Sequence, residues 1–236
     1  MRNILLLFLF CSFLSCSQMK DIAKDDQSNQ NWITLFDGSS FGNWRGYLSD
    51  EMPSEWTIED DAMLFTPSDR GGKNIITREK FTNFVLSLEW KVSEGGNSGI
   101  FWGVFEDTKF PEPYQTGPEV QVLDNENHPD SFLREGRRKA GAIYDLVAYP
   151  GEFVNPAGSW NLCVVEINYN TSLAKVTMNN KESVEFPING PEWKELVRNS
   201  KFKDWPGFGI YHSGHISLQD HGNKVWYRNI RIKKLD

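Results

Sequence analysis

The chain has 236 residues, of which 14% are aromatic, and it carries a formal net charge of −7 at pH 7. This length suits one large β domain, since sandwiches often run to about 200–250 residues as a single unit, and such a chain buries a sizeable core without disulfides. The acidic balance repels phosphate backbones, so no nucleic acid partner is expected.

Residues 1–16 have the pattern of a bacterial export signal. A short positive start precedes an apolar run over residues 4–14 that is too short to span a bilayer. The run ends Phe-Leu-Ser-Cys at Cys16, which resembles a lipobox, the motif in which the cysteine is lipidated and becomes the mature N-terminus. We therefore predict a lipoprotein signal peptide over residues 1–15 and an exported, membrane-anchored protein in the periplasm or at the cell surface. Plain secretion with cleavage nearby is the alternative.

The rest of the chain divides into a tether and one domain. Residues 16–31 are polar and lack apolar periodicity, which predicts a flexible tether. Residues 32–236 are predicted to form the folded domain. Its one cysteine, Cys163, lies in the apolar segment WNLCVVEI, so no disulfide forms within the domain and this thiol is expected to be an inert core residue.

Short alternating segments with Gly, Pro and Asn turns dominate the domain. The predicted strands, in chain order, cover residues 32–36, a hairpin over 56–65, 74–77, 84–92, 100–105, 119–123, 142–147, 161–169, 175–178, 184–186, 208–211, 215–219 and 225–233. One helix is predicted near residues 191–200, because Pro191 suits a first helical position and acidic residues follow it. This pattern indicates an all-β sandwich or jelly roll of two sheets.

The segment over residues 117–130, GPEVQVLDNENHPD, runs from a predicted strand into a polar loop. Glu119 and Gln121 share one face of the strand, while two valines share the other face and are predicted to be core. The loop then brings Asp124, Glu126 and His128 to the strand end. These residue types suit acid–base or ligand chemistry, and a solvated polar turn is an equally good interpretation of this segment alone.

A histidine run near the C-terminus, YHSGHISLQDHG, supplies a second group of polar side chains. His215, Gln219 and His221 are predicted to share a strand face, which is typical of a concave surface that meets a polar ligand. Asp220 lies beside His221, and a neighbouring carboxylate can set the tautomer of a histidine and raise its basicity.

Three further residues are candidates for binding substrate. Glu89 and Glu119 on polar strand faces offer the paired carboxylates that glycoside cleavage uses, although an exposed strand glutamate beside a lysine is more simply solvated. Asn97 lies in the Gly-rich turn GGNSG, where an ordinary turn is the alternative. Tyr144 carries a hydroxyl that needs a partner if it is buried.

Metal binding is a weaker expectation. The sequence has no HExxH motif and no cysteine pair, so it does not predict a zinc site. A divalent ion bound by oxygen atoms of Asp124, Glu126 or Asp220 stays open as a cofactor.

Taken together, the motifs resemble those of the 3-keto-disaccharide hydrolase family. The matching segments span residues 32–236 in order: LFDGSSFGNW, EWTIEDDAMLF, FVLSLEWKVSEGGNSGIF, GPEVQVLDNENHPD, AGAIYDLVAYP, GHISLQDHG and WYRNIRIKKL. The resemblance implies a concanavalin A-like (laminarinase-type) jelly-roll fold. It also implies a small-molecule glycoside substrate oxidised at carbon 3, cleaved by hydrolysis or by elimination across carbons 1 and 2.

The residues fit that chemistry. A 3-keto group acidifies the hydrogen on carbon 2, which a base among His128, His221 and Glu119 could remove. The predicted catalytic residues are Glu119, Asp124, His128 and His221, and the predicted substrate-binding residues are Glu89, Gln121, Asn97, Tyr144, His215 and Gln219. The alternatives are a non-catalytic carbohydrate-binding module and a structural surface lipoprotein. Convergence of the predicted catalytic residues in one pocket would favour the enzyme.

Overall fold

Two antiparallel β-sheets pack face to face in this computed structural model, which describes residues 31–68, 72–181 and 183–236. The predicted signal peptide, Cys16 and all of the predicted tether except residue 31 lie outside the described residues. Strands are numbered in chain order with these bounds: β1 Trp32–Phe36, β2 Trp44–Gly46, β3 Trp56–Glu59, β4 Ala62–Phe65, β5 Ile75–Thr77, β6 Phe84–Val92, β7 Asn97–Val104, β8 Glu119–Leu123, β9 Asn161–Asn168, β10 Leu173–Met178, β11 Ser183–Pro187, β12 His215–Leu218 and β13 Val225–Lys234.

The order of strands decides which polar faces meet. The larger sheet runs β11-β10-β9-β6-β13-β4-β3, with β1 also paired to β13. The smaller sheet runs β2-β5-β12-β7-β8. Strand β7 therefore lies between β12 and β8, so the strand that begins at Glu119 and the strand that leads to His221 are separated by one neighbour.

The core lies between the two sheets because alternate residues of their strands are apolar. Leu88 and Trp90 of the larger sheet and Ile100 and Val120 of the smaller sheet are each at most 2% exposed and belong to one cluster. Burying a side chain of this size stabilises the fold by about 1.5–3 kcal/mol. Cys163 is also in this core, where burial raises the pKa of its thiol to about 12, as predicted for an inert residue.

The sequence prediction of an all-β jelly-roll sandwich with one short helix is confirmed. The helix, α1, spans Gly190–Arg198, with a proline in its first turn, and it buries Trp193 against the domain. The hairpin of β3 and β4 is also confirmed. Its turn residues Asp60 and Asp61 have φ of 49° and 59°, which matches the left-handed conformation of a tight two-residue hairpin turn.

Two predicted strands are wrong. Residues 142–147 form a tight turn instead, in which the Ile143 and Val147 backbones bond to each other and Asp145 adopts a φ of 63°. Residues 208–211 also form no strand. The Phe208 backbone nitrogen instead closes a turn on the Trp205 carbonyl at 3.3 Å, and the Phe208 ring stacks on Phe202, with centroids 3.9 Å apart.

Within the parts of the chain that the structure describes, none of the helices has the length and apolar character needed to cross a membrane.

Candidate active site

A polar cavity of about 420 Å³ opens on the smaller sheet. This volume falls within the range of roughly 300–1,000 Å³ that small-molecule sites occupy. Its lining comes from strands β7 and β8, from the segment directly after β12 and from four loops: Gly72, Asn74, Asn97, Glu112, Tyr114, Glu119, Gln121, Tyr144, Lys201, Phe202, Trp205, Gln219, Asp220 and His221.

Strand register places the buried polar groups of this cavity together. Gly99 of β7 pairs with Gln121 of β8, and the backbone nitrogen of Gln219 donates to the Gly99 carbonyl at 3.0 Å. Gln121 is 1% exposed, Gln219 7% and Glu119 8%. The segments over residues 119–121 and 219–221, which are almost 100 residues apart in sequence, therefore contribute to one polar surface.

Glu119 is the buried carboxyl of the cavity. Burial raises its pKa well above the usual carboxyl range; the charge of Lys201 opposes this shift and that of Asp130 adds to it. The amide nitrogen of Gln121, in the orientation that satisfies its neighbours, lies 3.0 Å from Glu119 Oε1. Such a carboxyl stays protonated at higher pH than an ordinary glutamate and can donate a proton.

Lys201, which the sequence did not single out, connects Glu119 to a second polar group. Its Nζ lies 4.1 Å above the ring of Tyr144, and burial lowers its pKa, against the opposing effect of Glu119. The Tyr144 hydroxyl donates to Asp130 Oδ2 at 2.8 Å, and Arg138 Nη1 donates to Asp130 Oδ1 at 3.2 Å. Lys201, Asp130 and Arg138 thus form a row of alternating charge that begins beside the Glu119 carboxyl.

His221 lines the cavity and is exposed to solvent. Burial of its inner side, followed by the charge of neighbouring His128, lowers the pKa of the imidazole. The two rings lie 6.3 Å apart, and Asn97 Nδ2 lies 3.5 Å from His221 Nε2 and 3.4 Å from His128 Nε2. His221 is therefore neutral at pH 7 and able to accept a proton.

Two buried side-chain oxygens belong to residues that line the cavity. Asn97 Oδ1 and Gln219 Oε1 have no hydrogen-bond partner among the described residues, although both side chains line the cavity. Buried polar atoms are normally paired. We infer that these two acceptors are satisfied by hydroxyl groups of a ligand or by water.

A carboxylate pair closes another side of the cavity. Asn74 Nδ2 donates to Glu112 Oε2 at 2.7 Å, while Asn74 Oδ1 accepts from the backbone nitrogen of Asp220 at 2.9 Å. Burial and then the charge of Asp220 raise the pKa of Glu112. Glu112 was not predicted as a site residue, because it lies in the proline-flanked loop FPEPYQ, where no strand alternation marks a face.

Four of the predicted catalytic and substrate-binding residues do not line the cavity. His128 lies outside the lining, and its Nδ1 accepts from the Asp130 backbone nitrogen at 3.2 Å. Glu89 belongs to the larger sheet, where its carboxylate pairs with Arg228 Nη2 at 2.6 Å. His215 Nδ1 lies 2.7 Å from the carbonyl oxygen of Thr77, away from the cavity.

Asp124, the fourth of these residues, is held by hydrogen bonds within its own part of the fold. Its carboxylate accepts hydrogen bonds from Gly95 N and Asn127 Nδ2, both at 2.8 Å, and from Glu126 N at 3.0 Å. Burial alone would raise its pKa, but these hydrogen bonds lower it. Asp124 therefore shapes the loop after β8 and does not contact the cavity.

The three residues predicted to bind a divalent ion through oxygen atoms do not lie together in one site. Asp220 lines the cavity, Asp124 is occupied by the hydrogen bonds of its own loop, and Glu126 lines a separate depression with Lys91 and Trp226. Across the described residues, no group of three or more His, Cys, Asp or Glu side chains is positioned to hold a metal ion.

Comparison with known proteins identifies relatives that match the whole domain. The family model described as a 3-keto-alpha-glucoside-1,2-lyase-like domain matches residues 31–233. A protein of Bacteroides thetaiotaomicron named 3-keto-disaccharide hydrolase is 40% identical over 230 residues, covering 87% of this chain and 79% of that protein.

Solved structures from Parabacteroides distasonis, provisionally described as glycosyl hydrolases, share the fold. One has 28% identity and a TM-score of 0.80, covering 90% of this chain and 97% of the other. A second has 25% identity and a TM-score of 0.60, covering 87% of this chain and 84% of the other.

Proposed function

This chain belongs to the 3-keto-alpha-glucoside-1,2-lyase-like domain family, and we propose that it cleaves 3-keto-glycosides by hydrolysis or by elimination across carbons 1 and 2. The membership makes the protein an enzyme of the glycoside hydrolase or lyase type. The observation that carries the specific reaction is that Glu119 and His221 line one cavity while their surroundings shift their pKa values in opposite directions. Opposed shifts of this kind separate an acid from a base.

The base is His221. A ketone at carbon 3 makes the carbon 2 hydrogen acidic, and the neutral imidazole takes that proton. The electron pair left on carbon 2 forms an enolate, which the donors around the cavity stabilise. Gln121 and Lys201 are the nearest such donors to the acid side, and the amide of Asn97 is nearest to His221.

The acid is Glu119. As the enolate collapses, the bond between carbon 1 and the glycosidic oxygen breaks, and the departing oxygen takes the proton of the Glu119 carboxyl. The products are a free alcohol and a sugar with a double bond between carbons 1 and 2. Addition of water across that double bond gives net hydrolysis. No covalent glycosyl-enzyme intermediate is needed, so the carboxylate spacing of ordinary glycosidases does not apply.

The experiment follows cleavage of a 3-keto-glucoside by NMR in D₂O. Wild-type protein is expected to release the alcohol and to place deuterium on carbon 2 of the hydrolysis product. Glu119→Gln and His221→Gln should each lose activity by about a hundredfold or more, since a general acid or base typically contributes 10²–10⁴-fold. Intact substrate with wild-type protein, with and without added divalent ions, would refute the proposal.

Matched substitutions control for folding. His212 is an exposed histidine that stacks on Tyr169 at 4.1 Å and lies outside the cavity lining, so His212→Gln should keep full activity. Glu192 is an exposed residue of α1, so Glu192→Gln serves the same purpose for Glu119. Sugar binding without cleavage in the wild type would favour the alternative, a non-catalytic carbohydrate-binding module.

We also propose that the enzyme is exported and anchored by a lipid on Cys16, in the periplasm or at the cell surface. The support is the signal pattern over residues 1–16, which lies outside the described residues. Mass spectrometry of the purified protein should find an acylated Cys16 as the first residue, and Cys16→Ser should move the protein from the membrane fraction to the soluble fraction. An unmodified N-terminus elsewhere would favour plain secretion.

A further inference from the structure

Two aromatic side chains interrupt the otherwise polar lining of the cavity. Tyr114 is 36% exposed and Trp205 is half-buried, and their ring centroids lie 5.9 Å apart with the planes tilted by 42°. Both residues line the cavity. At this spacing and tilt the rings contact each other and cannot sandwich a ligand between them. Together the rings of Tyr114 and Trp205 form one angled aromatic surface, here called the corner.

The corner is rigid. Trp205 packs edge-on against Phe202, with centroids 5.1 Å apart, and edge-on against Phe208 at 6.4 Å. Phe202 and Phe208 are themselves stacked at 3.9 Å. Both phenylalanines are 3% exposed, so they fix the tryptophan from behind and leave part of its surface open to the cavity. A platform fixed in advance loses little conformational freedom when a ligand binds.

Neighbouring groups connect Trp205 of the corner to the acid Glu119. A path of contacts leads to the corner from Glu119: Lys201 lies close enough to affect the Glu119 carboxyl, its Nζ is 5.1 Å from the ring centroid of Phe202, and Phe202 packs on Trp205. Tyr114 also precedes Glu119 by only five residues. The base His221, by contrast, contacts Asn97 and His128.

We propose that Tyr114 and Trp205 form the subsite for the leaving group, and that this subsite stacks on one face of a pyranose ring. The proposal rests on the proposed function, in which Glu119 protonates the departing oxygen. The leaving group is bonded to that oxygen, so it extends from the acid toward the aromatic corner. Pyranose rings present C–H groups on their faces, and aromatic faces, which are apolar and electron-rich, suit such contacts.

The test compares two substrates that differ only in the leaving group. A 3-keto-disaccharide places a sugar in the subsite, whereas methyl 3-keto-glucoside places only a methyl group there. Trp205→Ala should raise KM for the disaccharide about tenfold and leave kcat/KM for the methyl glycoside within about twofold. Trp205→Phe should restore most of the lost affinity. Trp226→Ala, at a half-buried tryptophan outside the cavity, is the matched control. It should leave KM and kcat/KM unchanged for both substrates.

The proposal would be overturned if Trp205→Ala lowered kcat/KM for both substrates by the same factor and Trp205→Phe were equally impaired. That result would leave the proposed function intact. Tryptophan fluorescence provides a readout that does not need turnover. Titration with the free leaving sugar should quench the fluorescence of the wild type and leave the fluorescence of the Trp205→Phe variant unchanged. If the wild type cleaves neither substrate, the proposed function fails, and the same titration still decides whether this corner binds a sugar.

Discussion

Gly99 lies against the Glu119 side chain, so closely that a Cβ atom added at Gly99 would come within 2.8 Å of the Glu119 carboxyl carbon. Separations of this kind are too short for real contacts, so one group would have to move. The carboxyl is the end of a flexible side chain, and it would move more readily than the backbone of β7. Gly99 thus provides the space in which Glu119 is held.

We therefore expect Gly99→Ala to lower kcat by at least about tenfold, because a displacement of about 1 Å can cost a catalytic group that much or more. Its cost in unfolding free energy should be about 1–3 kcal/mol, typical of local overpacking. Gly42→Ala is the control, because its added Cβ would meet only Ser40 Oγ, at 3.6 Å. Unchanged kcat in Gly99→Ala would mean that Glu119 need not occupy its observed position.

The pH profile should report the opposed pKa shifts of the proposed base, His221, and the proposed acid, Glu119. His221 is active when neutral, so kcat/KM should fall only as pH drops below the usual histidine range, because its pKa is lowered. Glu119 is active when protonated, so activity should persist above the usual carboxyl range and fall on the alkaline side, because its pKa is raised. Measurements of kcat/KM from pH 4 to pH 10 would test both the acidic and the alkaline limb of this profile.

Lys201→Met should move the alkaline limb of the pH profile and leave the acidic limb in place. The lysine charge favours the ionised form of Glu119, so its removal raises the pKa of Glu119 further and shifts that limb to higher pH. A downward shift, or no shift with full activity, would contradict the assignment of Glu119 as the acid.

Asp145 should contribute to stability rather than to chemistry. Its buried Oδ1 accepts from Arg138 Nε at 3.1 Å and from Arg134 Nε at 3.0 Å, and its Oδ2 accepts from the Lys201 backbone at 2.9 Å. Asp145→Ala removes one partner of these pairs and should cost about 3–5 kcal/mol, the usual penalty for breaking a buried pair. Urea unfolding would measure it, with Asp50→Ala at an exposed position as the control.

Asp124→Ala separates two interpretations of the loop after β8. Because the Asp124 carboxylate is used by backbone and side-chain donors of its own loop, its loss should destabilise the fold by about 1–3 kcal/mol. In folded protein kcat should stay within about threefold of wild type. A loss of a hundredfold or more at full stability would instead restore Asp124 to the catalytic residues that the sequence predicted.

Local periodicity explains why part of the site was predictable. Alternation along β8 places Glu119 and Gln121 on the face opposite the core valines, and the polar residues after β12 include Gln219 and His221. The same reasoning misplaced Glu89, because alternation marks a polar face without saying which sheet carries it. Lys201, Glu112 and Tyr114 lie in loops that have no periodic pattern, so their positions could not be derived.

The sequence by itself determined most of the strand pattern, the short helix, the core faces and the family resemblance, because side-chain alternation and turn residues act over a few positions. The tertiary structure decided that β7 lies between β8 and β12, which brings Glu119 and His221 to one cavity and leaves Glu89 on the other sheet. It also decided that Gly99 makes room for the Glu119 carboxyl and that Lys201 lies beside it. These relationships depend on contacts between segments up to about 120 residues apart, and pairing at that distance is set by the packing of whole sheets rather than by local sequence.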